Sequence, residues 1–223
     1  MNDEHDDTIE SQGAEDDTEV REPIALDEES AERLSRFLAL VLRHRAHNFD
    51  LDVDDEGFVS IDDLLDVIDE RQSSLDWVEH EHIEELADAP GRRRFEVRDD
   101  MVRATYGHSF KRPIRYAMAD PPENLYIGVL QSRLAELKTT GLTPTNRQYV
   151  HLSESSEEAV EIARHQGDDA IALTVRAADA ARNGVLFHHP TDGIYLVTKL
   201  PPEYLDIEVE MQFGRRGRKG RRR

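Results

Sequence analysis

Charge is distributed so unevenly that only the middle of the chain can fold into a compact body. Residues 1–29 carry 13 acidic side chains and one base, whereas residues 214–223, GRRGRKGRRR, carry seven bases and no acid. Both ends are poor in large apolar side chains, so neither can bury enough surface to offset the entropy of ordering it. They read as a disordered acidic tail (1–29) and a basic tail (214–223). The remaining stretch is still acidic, with 35 acids against 20 bases, within a total charge of −20. Only four of the 28 basic residues are lysine. A surface so dense in carboxylates stays soluble where salt screens the repulsion, which suggests a high-salt, halophilic cytoplasm. Net charge of this sign disfavours nucleic-acid binding, so a nucleic-acid site would have to be a local basic cluster.

Other classes are narrowed by what is missing. Cysteine is absent, so disulfides and thiolate metal sites are excluded. The longest apolar run, Phe37–Leu42, has six residues, far short of a membrane span. The N-terminus lacks the basic and apolar regions of a signal peptide. The expectation is a soluble cytoplasmic protein with no membrane partner and no obligate protein partner.

The periodicities predict an α+β protein in two lobes. Ser30 is placed as a helix N-cap, with Leu34, Phe37, Leu38, Val41 and Leu42 forming one apolar stripe that ends at Arg43 and His44. A hairpin is expected next, Leu51–Val53 against Phe58–Val59. Ser60 and Asp63 resemble a capping box before a second helix with Ile61, Leu64, Leu65 and Ile68. A third helix contains Val78, Ile83 and Leu86. Arg94–Arg98 and Met101–Tyr106 read as strands joined at Asp99-Asp100. Helices followed by a basic hairpin suggest a winged-helix-like lobe over residues 30–110. Residues 114–213 read as a second lobe. Its expected strands are Leu125–Val129, Tyr149–Leu152, Ala170–Val175, Val185–Phe187 and Ile194–Val197. Its expected helices carry Leu130, Leu134 and Leu137 on one face and Glu157–Arg164 behind Ser155 or Ser156. Gly141 is placed as a helix C-cap residue.

Three segments combine arginine with histidine: Leu42-Arg43-His44, Arg103 to Ser109 (RATYGHS), and Asn146 to Ser153 (NRQYVHLS). Any one arginine in so acidic a chain is expected to pair with a surface carboxylate. Several together can hold a phosphate dianion, because planar guanidinium groups bind its oxygens bidentately. Other patterns are weaker. Asp52, Asp54, Glu56, Gly57, Ser60 and Asp63 approach the spacing of a calcium loop, but Glu and Asp stand at the wrong positions. His80-Glu81-His82 lacks the second histidine of a zinc helix. No metal site is expected. Neither a P-loop nor a dinucleotide glycine fingerprint is present.

In order along residues 30–205, SRFLALVLRH, EGFVSIDDLL, RATYGHS, GLTPTNR, VHLS and Pro201-Pro202-Glu203-Tyr204 resemble the RNA 2′-phosphotransferases of the KptA family. The resemblance implies a winged-helix RNA lobe followed by an ADP-ribosyltransferase-like lobe that binds NAD as co-substrate without a glycine fingerprint. It implies a two-step reaction on RNA, expected to be a 2′-phosphorylated tRNA from splicing. The RNA 2′-phosphate attacks C1″ of the nicotinamide ribose and expels nicotinamide. The 2″-hydroxyl then attacks the phosphate, releasing 2′-hydroxyl RNA and ADP-ribose 1″,2″-cyclic phosphate. By position Arg43, His44, Arg103 and Arg147 form the implied catalytic set. His108 and Ser109 support the phosphate or adjacent RNA, and Tyr126, Gly128, His151 and Ser153 line the cofactor site. One departure stands out: where the family has Leu-Tyr-His-Gly-Thr, this chain has Leu125-Tyr126-Ile127-Gly128-Val129. The loss of an imidazole and a hydroxyl implies weaker NAD binding. It also keeps two other readings open: an ADP-ribosyltransferase acting on terminal phosphates of nucleic acids, and a non-catalytic RNA-binding paralogue.

Overall fold

A computed structural model describes residues 26–90 and 94–207. The basic tail and the acidic tail up to residue 25 lie outside the described residues. The rest is a mixed α/β structure in which six α-helices accompany two antiparallel sheets among the described residues.

The N-terminal half packs around one apolar cluster. Helix α1 (Glu28–Leu40) is capped by Asp27, whose side chain accepts from the Ser30 amide at 2.8 Å, and Leu26 packs against the core. Ser30 is therefore inside the helix, which begins before the boundary expected at residue 30. An Asp at N-cap satisfies one of the first-turn amides, and Glu28 and Glu29 favour the positive end of the helix dipole. The helix does not stop at Arg43. It widens into a single π-type turn, Val41–Arg45, followed by a 3₁₀ turn, Ala46–Phe49.

The hairpin expected at 51–59 is instead a side-chain-built turn. Asp54 Oδ1 accepts from the amides of Glu56 and Phe58, both at 2.8 Å, and Gly57 takes φ +93°. With those donors used locally, strand β1 (Val59–Ser60) pairs with β3 (Met101–Ala104), which also pairs with β2 (Phe95–Arg98). Asp99 and Asp100 both have positive φ, the geometry of a tight hairpin turn whose twist suits the strands. Helix α2 (Ile61–Arg71) is capped by Ser60, as its spacing predicts, and α3 (His80–Asp88) follows. Leu34, Leu38, Leu42, Ile61, Leu64, Ile68, Leu75, Ile83 and Phe95 fill this core.

The second sheet has strand order β6-β4-β5-β8-β7: β4 Asn124–Leu130, β5 Val150–Ser153, β6 Ala170–Arg176, β7 His188–Thr191 and β8 Ile194–Val197. The strand expected at Val185–Phe187 lies three residues later. The two-residue turn Asp192-Gly193 sets Thr191 opposite Ile194, so pairing starts from that turn rather than from the apolar run. Leu130 ends β4 and is not part of α4 (Leu134–Thr140), which Gly141 ends with φ +68°. Ser155 caps α5 (Ser156–Arg164), and a short α6 (Ala177–Arg182) follows β6. Leu125, Leu152, Leu173, Val175, Val197 and Leu200 centre a second apolar cluster. No helix of the described residues is long and apolar enough to cross a membrane.

Candidate active site

The site forms where the π-type turn of the first half, the Tyr106–Ser109 segment after β3, and the loop before β5 meet. In the wide turn the carbonyl of Arg43 accepts from the Ser109 amide at 2.9 Å, while His44 Nδ1 lies 2.8 Å from Ser109 Oγ. One short segment thus fixes Arg43 and His44 together. From the other side, Arg147 Nη1 donates to the carbonyl of Gly107. Its neighbour Gln148 anchors that loop. The Gln148 amide donates to His108 O at 3.0 Å, Nε2 donates to the carbonyls of Phe110 and Arg112, and Oε1 accepts from the Ile114 amide.

Arg43 is the unusual member. Arg33, Arg98, Arg112, Arg133, Arg176 and Arg182 each hold a carboxylate. Arg43, only 8% exposed, has Nε and Nη2 buried with no hydrogen-bond partner among the described residues. Its guanidinium carbon lies 5.0 Å from the Tyr106 ring centroid, a cation–π contact. Burial, with the nearby charges of Arg94 and Arg147, lowers its pKa to about 10, so it remains cationic at neutral pH. A buried cation without an anion is costly unless a ligand supplies one.

The imidazoles around it are held neutral. Burial, reinforced by Arg43 and Arg103, pushes His108 down to about 3. Burial, reinforced by Arg147 and Arg43, does the same to His151. Burial and the charges of Arg147, Arg43 and Arg45 lower His44 as well. Tyr106 lies between two members, since its ring also meets His151 with centroids 5.5 Å apart.

Arg103 stands apart. Its Nε and Nη2 donate to Glu96 Oε2 at 2.8 and 2.5 Å, and Nη1 donates to the Glu56 carbonyl at 2.9 Å. The guanidinium stacks over Phe58 and lines a separate recess with Pro190, Thr191 and Asp192. Its charge still reaches His108, while three of its five N–H groups go to Glu96 and the Glu56 carbonyl. The acids of the calcium-like stretch also have other uses: Asp54 builds its turn, Asp55 pairs with Arg112 and Arg115, and Glu56 pairs with Arg98.

Tyr126, Gly128, His151 and Ser153 line one cleft with Arg147, Arg133 and Thr143. Strand alternation and the Tyr126–Ser153 pairing put the four expected residues on one face. Gly128 has a packing reason of its own, because a Cβ there would come 1.8 Å from the Ala159 carbonyl of α5. Ser153 Oγ donates to Glu158 at 3.1 Å and accepts from the Ser155 amide. Ile127 and Val129 alternate with Tyr126 and Gly128 along β4 and join the second apolar cluster, and they too line this cleft. Sequence reasoning gave no role to Gln148 or Tyr116, whose partners lie eight or more residues away and leave no local signature.

A buried guanidinium with two unsatisfied nitrogens among neutral imidazoles is an arrangement that can hold an anion. The profile described as RNA 2′-phosphotransferase, Tpt1 / KptA family, matches residues 29–199, and the chain belongs to that family. A protein of Methanosarcina barkeri named "Probable RNA 2′-phosphotransferase" is 35% identical over 185 residues, covering 83% of this chain and 87% of the relative. Proteins of the same name from Pyrococcus horikoshii and Bacillus thuringiensis subsp. konkukian are 34% and 31% identical. The first match covers 76% of this chain and 94% of the relative, the second 78% and 94%.

Proposed function

We propose that the protein is an NAD-dependent RNA 2′-phosphotransferase, with the N-terminal half acting as a winged-helix RNA lobe and the C-terminal half as an ADP-ribosyltransferase-like lobe. The observation that carries this reading is the Arg43 guanidinium, charged, buried and unpaired. A phosphate dianion supplies acceptor oxygens without donors of its own, which is what such a group lacks. Arg147 and the His44–Ser109 pair flank it and orient the anion. The nucleophile is already anionic at neutral pH, so the site has to position it rather than deprotonate it. Removing one such donor commonly costs on the order of 100- to 1000-fold in rate. Arg103 acts from a distance, through its charge and by holding the Glu56-Gly57 turn.

For the dinucleotide, Tyr126, His151 and Ser153 present polar groups on one wall of the cleft, and Arg133 and Arg147 offer cations for a pyrophosphate. This donor set fits NAD, which when bound supplies the electrophilic C1″ for the incoming phosphate. RNA bearing an internal 2′-phosphate, such as a spliced tRNA, is the substrate, and the acidic body suits work in concentrated salt in the cytoplasm. The test is incubation with RNA carrying one internal 2′-phosphate, with and without NAD, in low and molar salt, with products resolved by mass. NAD-dependent loss of phosphate with ADP-ribose cyclic phosphate is expected. Accumulating ADP-ribosylated RNA would replace this reading with the one-step transferase, and bound but unchanged RNA would replace it with a binding protein.

A further inference from the structure

We propose that Tyr116 is a positioning residue that fixes His108 as the Nε2–H tautomer, so that this imidazole serves the anion site as a hydrogen-bond donor. The inference rests on reading the Arg43 cluster as a phosphate site.

Tyr116 lies in the segment joining the two halves, and its hydroxyl is 2.9 Å from His108 Nδ1. That nitrogen is the hydroxyl's one hydrogen-bond partner among the described residues. A phenol is more acidic than the N–H of a neutral imidazole, so the phenol donates and Nδ1 accepts. The ring proton is then on Nε2. Nε2 is buried, in a residue only 2% exposed, and has no hydrogen-bond partner among the described residues. A Cβ on Gly57 would come 3.3 Å from it and 3.4 Å from Ile114 Cδ1, so Nε2 lies beside Gly57, where a larger residue would crowd it. Arg43 Nε and Nη2 are unpartnered in the same cluster. In this reading the oxygens of one bound anion satisfy these three orphaned donors, whose surroundings are cationic.

The phenol is itself held from the second half. Its backbone carbonyl is 2.9 Å from His188 Nδ1 at the start of β7, and its ring meets Tyr149 edge-on with centroids 5.4 Å apart. Tyr149 directly follows Gln148 in the Arg147 loop. Tyr116 thus ties His108 in the first half to the loop and sheet of the second.

The test uses the full chain labelled with ¹⁵N, the His108 ring being assigned by its disappearance in His108→Gln. Long-range ¹⁵N–¹H spectra are expected to show an unprotonated Nδ1 and a protonated Nε2. Tyr116→Phe keeps the ring packing and removes the donor. It is expected to shift His108 toward Nδ1–H and to lower kcat by about 10- to 100-fold with KM for NAD within twofold of wild type. A protonated Nδ1 in the wild type overturns the proposal, and so does a Tyr116→Phe protein with wild-type tautomer or wild-type kcat. If the wild type fails to act on 2′-phosphorylated RNA, the phosphate reading falls, while the spectra still decide whether Tyr116 sets the tautomer.

Discussion

Gly107 and Arg147 are in contact from opposite halves of the molecule: Arg147 Nη1 donates to the Gly107 carbonyl, and a Cβ at Gly107 would stand 2.6 Å from that nitrogen and 3.4 Å from Arg43 Cδ. The backbone there has φ +95°, a conformation that L side chains rarely adopt. Gly107→Ala is therefore expected to displace the Arg147 guanidinium from beside Arg43, whose own contact with the new methyl is an ordinary one. Phosphate removal should fall by about 100-fold or more, with a stability loss of about 1–2 kcal/mol. Steady-state rates and urea midpoints read the two effects separately, and an unchanged rate would mean that the two arginines need not be held together.

Arg147→Ala should abolish turnover with little change in Tm, since it removes one hydrogen bond at the edge of the cleft. Arg147→Lys should not restore it, because an ammonium lacks the planar fork that grips two oxygens. Arg103→Ala is expected to lower Tm as well, because it strips Glu96 of its partner and the Glu56 carbonyl of a donor. Rates with melting curves separate the two arginines. Full activity in a folded Arg147→Ala protein would remove Arg147 from the reaction.

How much of this is legible in the sequence depends on range. Ser60 and Ser155 announce their helices because a cap is a contact of three residues. Asp27 caps its helix by the same rule but was hidden inside an acidic run. The wide turn at Arg43 has no local signal, since it is sustained by Ser109, a residue far away in sequence. The segments bearing Arg43, His44, His108, Ser109, Arg147 and His151 meet through contacts between residues far apart in sequence. The Glu96 partner of Arg103 comes opposite it only through the pairing of β2 with β3. Gln148 acts through partners distant in sequence, and Tyr116 through His108, eight residues away, as well as Tyr149 and His188.

Ile127→His replaces an apolar side chain packed beside the second cluster with the imidazole of the family pattern. One added hydrogen bond to the dinucleotide would lower the KM for NAD by about two- to tenfold. The same change puts a polar group against apolar packing, so Tm should fall by a few degrees, on the order of 1 kcal/mol. An unchanged KM would mean that NAD is held without this position.

Acid should weaken the fold before its carboxylates titrate. His108 and His151 stay neutral down to about 3 in the native state, whereas in the unfolded chain they take up protons near the ordinary histidine value of 6.5. Between those values the unfolded state binds more protons, so stability falls as pH falls below about 6.5. Urea midpoints between pH 7.5 and 4.5 should decline steadily, and His151→Asn should flatten the slope. A midpoint that does not change across that range would contradict the burial of these imidazoles.

The most direct measurement compares two RNAs of identical sequence, one bearing an internal 2′-phosphate and one a 2′-hydroxyl, by fluorescence anisotropy without NAD. If the Arg43 guanidinium awaits a phosphate, the phosphorylated RNA binds about 10- to 100-fold more tightly, and Arg43→Gln erases the difference. Equal affinity of the wild-type protein for both RNAs would contradict the account.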